Sequence, residues 1–229
     1  LAATLKERFP HEATGIDAYF EAVQRGARTL GTVFAAHSAP PLVGHGVEWL
    51  RRDEIARWVE RTTWDVVCEF VHDERLRAVL CAQWGDYGSR PREGSFALHA
   101  TVVQHYLDGA WFPVGGPATF ARELGARIEA AGGALRTCAE VVAVRVIDGR
   151  VRGVTLSDGE AIDASCVVSD AGLHNTLRLL PSPEVDYRWA ADALALESSV
   201  GYVGLYVGLE GDIVAAGADA ANHWIYDGW

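Results

Sequence analysis

The pattern of apolar and polar positions predicts that the first half of the chain is helical. One long helix is indicated by apolar residues that recur at alternating intervals of four and three: Ile16, Phe20, Val23, Ala27, Leu30 and Phe34. The segment Thr14-Gly15-Ile16-Asp17 provides an N-cap for this run. One face of the predicted helix is therefore apolar along its length.

Further helices are predicted after a loop from Ser38 to Gly46 that contains Pro40-Pro41. A second helix starts at Asp53 and carries the apolar residues Ile55, Val59, Val66 and Phe70. Three more elements follow: a helix over 76–84, a loop over 85–94 and a helix over 96–107.

The pattern changes near residue 110, and beyond it helices and strands are mixed. A helix is predicted from Pro117, with Phe120, Leu124 and Ile128 on its apolar face and Gly132-Gly133 as its stop. Three β-rich runs follow, over 141–147, over 151–156 and up to about residue 162. The dipeptides Asp148-Gly149 and Asp158-Gly159 separate them, which predicts a three-stranded meander.

Two further strands and one short helix are predicted downstream of the meander. Cys166-Val167-Val168-Ser169 is a short apolar strand that leads into Asp170-Ala171-Gly172. A helix over 174–180 ends at Pro181, and the apolar run from Val200 to Leu209 is the second strand.

The amino-acid composition and net charge limit the classes of function that are possible for this chain. The chain has 229 residues, of which 49% are hydrophobic and 22% charged, so it can bury a sizeable core. Its 20 Lys and Arg against 31 Asp and Glu give a net charge of −11, which argues against nucleic acid as a partner. The histidines and cysteines show no spacing typical of a metal site. His99 and His105, six positions apart on one predicted helix, point to different faces.

The four cysteines and the apolar runs indicate the compartment. Cys68, Cys81, Cys138 and Cys166 are widely spaced, which favours free thiols in a reducing environment over disulfides. The longest apolar run falls short of the roughly 18–20 residues that span a bilayer, so we expect a cytoplasmic protein. Because the chain starts at Leu1 and contains no methionine, we also expect it to be a piece of a longer protein, truncated at both ends.

The segment Trp111-Phe112-Pro113-Val114-Gly115-Gly116-Pro117 leaves two interpretations open. Paired glycines at a junction between extended and helical chain let a flat ligand approach bare backbone, and the aromatic pair could line the same site. Alternatively, the glycines only turn the chain and Trp111 and Phe112 fill the core.

An ordered set of short motifs resembles the flavin-dependent polyene oxidoreductases, the family that includes phytoene desaturase, carotenoid isomerase and retinol saturase. In chain order, the motifs are Ala110 to Gly116, Ala131-Gly132-Gly133, Gly153 to Gly159, Val167 to Thr176 and Tyr206-Val207-Gly208-Leu209. The pattern of retinol saturase is the most similar, and the resemblance is strongest over 109–209.

The resemblance implies an α/β fold of mixed α+β character. It would be a fragment of a Rossmann-like FAD-binding domain, with a helix, parallel strands and the meander, joined to a largely helical substrate domain. The implied division is a substrate-covering domain over 1–110, a partial FAD-binding domain over 111–181, and a return to the substrate domain, by a helix and apolar strands, over 182–229.

The resemblance also implies which residues contact FAD and substrate. The Val141 amide and carbonyl would bind the adenine edge, unless Val141 is only a core strand residue. The other cofactor-binding residues would be Gly115, Gly116, Ser169, Asp170, Ala171 and Gly172, the last four at the carboxyl end of a strand. Trp111 and Phe112 would line the path of an apolar substrate. The flavin carries the chemistry, and no catalytic residue or oligomeric state is assigned.

The implied activity is desaturation, saturation or isomerisation of a long conjugated isoprenoid by an FAD-dependent oxidoreductase. A tunnel for such a substrate adds the hypothesis of peripheral association with a membrane. The chain departs from the family in lacking the G-x-G-x-x-G turn that binds pyrophosphate, so we expect the fragment alone to hold FAD poorly and to be inactive.

Two alternatives stay open. A flavin amine or amino-acid oxidase shares the cofactor fold and differs in having a compact polar cavity. A non-catalytic module that binds an apolar ligand or a partner needs no flavin. A strand, a G-x-G-x-x-G turn and a helix upstream of Leu1 would favour the enzymes over this module.

Overall fold

The computed structural model describes residues 1–107, 109–181, 188–197, 200–219 and 222–226. Its contacts divide the chain into two compact units, one formed by Leu1–Trp111 with Ser199–Trp229 and the other by Phe112–Ser198. The predicted boundary at residue 182 lies outside the described residues.

Helices make up most of the first unit. In chain order they are α1 (Ala2–Arg8), a 3-10 helix (Pro10–Glu12), α2 (Ala13–His37), α3 (Pro41–Leu50), α4 (Arg52–Trp58), α5 (Thr63–Phe70), α6 (Glu74–Cys81), a second 3-10 helix (Ala82–Asp86) and α7 (Phe96–Leu107). The predicted helix over 96–107 is confirmed residue for residue.

The core of this unit forms where α2 packs against α7. Gly26 of α2 lets the helices approach, because a Cβ there would lie 3.0 Å from the Ala100 Cβ and 3.2 Å from Cε1 of Phe96. Ile16 and Val23, two residues of the predicted apolar face, are fully buried in this core. The predicted helix is therefore confirmed, but its apolar face is not buried along its whole length, because Phe34 exposes 62% of its surface.

Three details of the helix prediction are wrong. The predicted loop from Ser38 to Gly46 is mostly helix α3, since Pro41 occupies a first-turn position where its missing N–H costs nothing. The helix from Asp53 is interrupted between α4 and α5, because the Thr62 hydroxyl accepts from the Asp65 N–H and caps a new helix. Thr14 lies inside α2, which begins at Ala13 without a side-chain cap.

The second unit contains a helix, a small sheet and two short helices. These are α8 (Ala118–Ala130), β1 (Val141–Ile147), β2 (Arg150–Leu156), β3 (Ala161–Asp163), α9 (Leu173–Leu179) and α10 (Arg188–Leu194). The predicted stop of α8 is confirmed. Gly132 has a φ of 84°, and the N–H groups of Gly132 and Gly133 donate to Glu129 and Ile128, which is the Schellman arrangement.

The predicted meander is also confirmed. The sheet has the order β1-β2-β3, and both strand pairs are antiparallel. Asp148 and Gly149 form the two-residue turn between β1 and β2, with φ values of 51° and 69° that match a type I′ turn. Gly159 has a φ of 88° in the second turn, where its N–H donates to the Leu156 carbonyl.

The predictions of further strands are wrong for the described residues. Neither Cys166-Val167-Val168-Ser169 nor the stretch from Val200 to Leu209 forms a strand, and no parallel pairing occurs in the described part of the chain. A strand needs a neighbour for its backbone N–H and C=O groups. Both segments are β-rich in sequence, but the described residues provide no strand beside them. The fold is thus mixed α/β, without a Rossmann-like parallel sheet among the described residues.

Gly153 of β2 occupies a position of the meander where a side chain would not fit. Its φ is 136°, and a Cβ there would lie 1.9 Å from the Ile162 carbonyl oxygen of β3. We predict that Gly153→Ala lowers the free energy of unfolding by at least about 2 kcal/mol, because backbone strain and a clash with β3 add. A urea titration followed by circular dichroism would measure the change.

Gly125→Ala is the matched control in α8. A Cβ at Gly125 meets nothing within 4 Å, and the residue is helical. We expect this substitution to stabilise the chain by up to about 1 kcal/mol through helix propensity. Equal changes in the free energy of unfolding for Gly153→Ala and Gly125→Ala would contradict the placement of Gly153 against β3.

Candidate functional site

The predicted adenine-binding residue, Val141, lies at the start of β1, a strand at the edge of the sheet. Val141 is opposite Leu156, and the N–H of Ser157, the residue directly after β2, donates to the Glu140 carbonyl at 2.9 Å. This bond makes Val141 and Leu156 a non-hydrogen-bonded pair, so the Val141 N–H and C=O point away from β2. An adjacent donor and acceptor are therefore presented at the open edge of the sheet.

Gly115 and Gly116 form a turn that leads into α8. The Gly116 N–H donates to the Pro113 carbonyl at 3.0 Å, and Gly115 has a φ of 87°, which is typical of a type II turn. Gly116 also has a positive φ, of 81°, and a Cβ there would meet nothing within 4 Å. The turn explains why position 115 is a glycine. At Gly116 no side chain covers the backbone, so a ligand can approach it.

The segment Ser169 to Gly172 lies directly before α9 and is exposed. The Ser169 and Thr176 hydroxyls share a hydrogen bond of 2.7 Å, and the Asn175 side-chain amide donates to the Ala171 carbonyl at 2.9 Å. Gly172, with a φ of 83°, has open space where a Cβ would be. These bonds fix the segment to α9, and the predicted placement of Ser169, Asp170, Ala171 and Gly172 at the end of a strand is wrong.

The predicted substrate-lining residues are exposed. Trp111 exposes 92% of its surface and Phe112 exposes 75%, so the alternative that they fill the core of either unit is wrong. The apolar face of α8 is exposed as well, at Phe120, Leu124 and Ile128. The second unit therefore presents an exposed apolar face on α8 and, separately, a sheet edge at β1 with free backbone groups.

Sequence reasoning missed a buried polar cluster in the first unit. His99, on α7, is fully buried, and its Nε2 lies 2.9 Å from the Tyr19 hydroxyl while its Nδ1 lies 3.3 Å from the Tyr87 hydroxyl. The signal for this cluster was weak, because the tyrosines are 80 and 12 positions away in sequence. His105 on the same helix is exposed.

Burial sets the protonation states of this cluster. Desolvation lowers the pKa of His99 from its ordinary 6.5 to about 4, so the imidazole is neutral at pH 7. Burial also raises the pKa of the Cys81 thiol and of the Tyr87 hydroxyl to about 12. Hydrogen-bonded tyrosines and a neutral histidine stabilise the core, and the cluster involves none of the predicted cofactor residues.

Across the part of the chain that the structure describes, no group of three or more His, Cys, Asp or Glu side chains could hold a metal ion. None of the helices described is both long enough and apolar enough to cross a membrane.

Comparison with known proteins gives several relatives, although no protein-family model matches the chain. The chain is 33% identical over 233 residues to all-trans-retinol 13,14-reductase of Danio rerio, a match that covers 97% of the chain and 38% of the relative. It is 21% identical over 232 residues to chloroplastic prolycopene isomerase of Daucus carota, covering 98% and 38%. It is 30% identical over 144 residues to the zeta-carotene-forming phytoene desaturase of Myxococcus xanthus, covering 63% and 28%. The chain thus spans no more than 38% of the length of these curated relatives.

The depressed pKa of His99 makes stability depend on pH. The unfolded chain takes up a proton near pH 6.5, whereas the folded chain resists protonation down to about pH 4. We predict that the free energy of unfolding falls as the pH drops from 6.5 to 4, by up to about 1.4 kcal/mol per pH unit. Urea titrations at several pH values measure this slope.

His99→Gln is the informative variant, because glutamine can still donate and accept without titrating. We expect its slope between pH 6.5 and 4 to be smaller than that of the parent, even if its stability at pH 7 is lower. His105→Gln, at an exposed histidine of the same helix, should keep the parental slope. If both variants keep that slope, another group is responsible.

Proposed function

We propose that this chain forms part of an FAD-dependent enzyme that acts on a long conjugated isoprenoid. Its homologues confirm that it belongs to the retinol saturase-like carotenoid oxidoreductases. The reaction would be saturation, desaturation or isomerisation. The observation that carries the proposal is the match to all-trans-retinol 13,14-reductase, which runs through both structural units at 33% identity.

The residues present fit a flavin nucleotide through their backbone. Val141 offers an N–H and a C=O side by side at an open sheet edge, as recognition of an adenine edge requires. Gly116 and Gly172 leave room where any other residue would place a Cβ. We infer that these three positions hold the cofactor, with Ser169, Asp170 and Ala171 shaping the loop beside it and Gly115 fixing the turn.

The exposed apolar face of α8 supports the same assignment. A helix with Phe120, Leu124 and Ile128 on one face normally buries that face against a sheet or another helix. We infer that the rest of a Rossmann-like domain covers it in the whole protein. The second unit would then be the cofactor part, and the helical first unit would cover the substrate.

The separate roles of the cofactor and of this chain follow from the chemistry. Bound FAD would accept or donate the electrons, and this chain would bind the cofactor, orient the polyene and exclude water. Trp111 and Phe112 suit an apolar substrate because their exposed rings gain by burial against it. A dedicated acid or base in this chain is not required.

The other classes have less support. The names of the relatives describe a retinol reductase, a prolycopene isomerase and a phytoene desaturase, which favours a polyene over the amine of a flavin amine oxidase. A non-catalytic module is favoured only if the full-length protein contains no flavin. Peripheral association with a membrane would suit a substrate of this polarity.

Flavin content tests the proposal directly. We predict that the full-length protein purifies with a yellow, non-covalently bound cofactor that denaturation releases as FAD. Val141→Pro should lower its affinity for FAD about tenfold, because it deletes one outward N–H that contributes about 1–1.5 kcal/mol. Proline is tolerated at the first residue of an edge strand. Titration of the apoprotein with FAD, followed by fluorescence quenching, gives the affinity.

Val141→Ala is the matched control, since it shortens the side chain and keeps the N–H. We expect its FAD affinity to stay within about threefold of the parent. Equal FAD affinities for the parent and the Val141→Pro variant would contradict the role of the Val141 backbone. A full-length protein without any flavin would overturn the proposed function itself.

A further inference from the structure

The C-terminal part of the first unit has no regular secondary structure. Residues 200–219 and 222–226 form neither helix nor strand, and we call them the strap. Its backbone hydrogen bonds join strap residues to one another, as from the Ala218 N–H to the Ile213 carbonyl at 2.9 Å. Among the described residues, no backbone–backbone hydrogen bond joins the strap to a helix. Side chains therefore hold the strap in place.

Three aromatic side chains attach the strap to the second 3-10 helix. The Tyr202 hydroxyl donates to the Gly85 carbonyl, and the Tyr226 hydroxyl donates to the Ala82 carbonyl. The Trp224 ring lies against Gly85, where a Cβ would be 2.8 Å from Cζ3 of the ring. The strap thus contacts the backbone of this helix rather than its side chains.

Two glycines make room for these aromatic rings. Gly85 accommodates the Trp224 ring, and Gly88 lies beside the other end of the strap. A Cβ at Gly88 would be 3.3 Å from the Tyr202 hydroxyl and 3.9 Å from Cγ2 of Val200. Contacts with the strap therefore lie on both sides of position 87 in the sequence, and they depend on glycine at both positions.

Tyr87 connects the strap to the buried cluster around His99. Its hydroxyl lies 3.3 Å from Nδ1 of His99, whose Nε2 contacts the Tyr19 hydroxyl on the opposite side of the ring. Burial raises the pKa of Tyr87 to about 12, and the nearby Tyr226 hydroxyl adds to the rise. Tyr87 is therefore the member of the cluster next to the strap, while Tyr19 is fully buried among the helices.

The attachment of the strap is weak compared with the packing of the helices. Two hydroxyl hydrogen bonds and the contact of one indole ring hold it to the 3-10 helix. By contrast, α2 and α7 bury a continuous apolar core. Segments with few bonds to their surroundings open locally at a lower free-energy cost than the core does. The strap can therefore leave its place while the helices stay folded.

We propose that the strap is a detachable cover, which opens without unfolding of the first unit and gives water access to Tyr87 and the His99 cluster. The closed form is held by the aromatic contacts at Gly85 and Ala82. In the open form, Tyr87 is exposed on the side that faced the strap, and Tyr19 stays in the core. The inference goes beyond the proposed function, since it involves neither flavin nor polyene.

Chemical modification of tyrosines in the full-length protein tests the cover. N-acetylimidazole acetylates accessible tyrosine hydroxyls, and peptide mass spectrometry gives the rate at each position. We expect Tyr87 of the parent to react more slowly than the exposed Tyr106 and faster than the buried Tyr19. Tyr19 should stay unmodified while Tyr87 reacts, because opening of the strap leaves the core intact.

Gly85→Ala is the variant that should release the strap. Its Cβ would meet the Trp224 ring, so we expect the acetylation rate of Tyr87 to rise at least about tenfold, with Tyr19 still protected. Gly31→Ala is the matched control in α2, where a Cβ meets nothing within 4 Å. It should leave the rate at Tyr87 unchanged.

Tyr226→Phe provides a second test that introduces no clash. It keeps the ring and removes the hydrogen bond to the Ala82 carbonyl, so the rate at Tyr87 should rise about threefold to tenfold. This variant decides the matter if Gly85→Ala fails to fold.

Two results would overturn the cover. One is a rate at Tyr87 that is the same in the parent and in the Tyr226→Phe variant. The other is modification of Tyr19 in step with Tyr87, because access would then require unfolding of the core. A protein that shows the expected rates but contains no flavin would overturn the proposed function alone.

Discussion

Backbone hydrogen bonding decides which parts of this chain adopt regular structure and which backbone N–H and C=O groups are free to bind a ligand. Helices satisfy their own N–H and C=O groups, and a hairpin needs only the adjacent strand. The helical unit and the meander meet this requirement from nearby residues. At the edge of the meander, Val141 has an N–H and a C=O directed away from its neighbour strand, and that asymmetry is the basis of the proposed cofactor site.

The same constraint explains how far the sequence could predict the fold. The helix over 96–107, the stop at Gly132-Gly133 and the Asp148-Gly149 turn depend on residues close in sequence, and the structure confirms them. The runs from Cys166 and from Val200 have strand composition, but a strand also depends on a distant partner. No local pattern can specify that partner, and neither run pairs with another strand among the described residues.

Only part of the candidate site could be predicted from the sequence. Short motifs were enough to recognise the polyene oxidoreductases, which the homologues confirm. The sequence left two roles open for Gly115, a turn or a ligand contact, and the bond from the Gly116 N–H to the Pro113 carbonyl shows that it belongs to a tight turn. The His99 cluster was missed for a related reason. Tyr19 lies 80 positions away, and only the packing of α2 on α7 brings the two side chains together.

The proposed function depends most on the open edge of β1 as the surface that binds the cofactor. Amide hydrogen exchange in the full-length apoprotein, measured with and without added FAD, tests it at single residues. The Val141 amide should exchange at least about tenfold more slowly once FAD is added. The Leu156 amide, already bonded to the Glu160 carbonyl at 2.8 Å, should change little. An unchanged exchange rate at Val141 in a protein that binds FAD would contradict the cofactor site proposed at this edge.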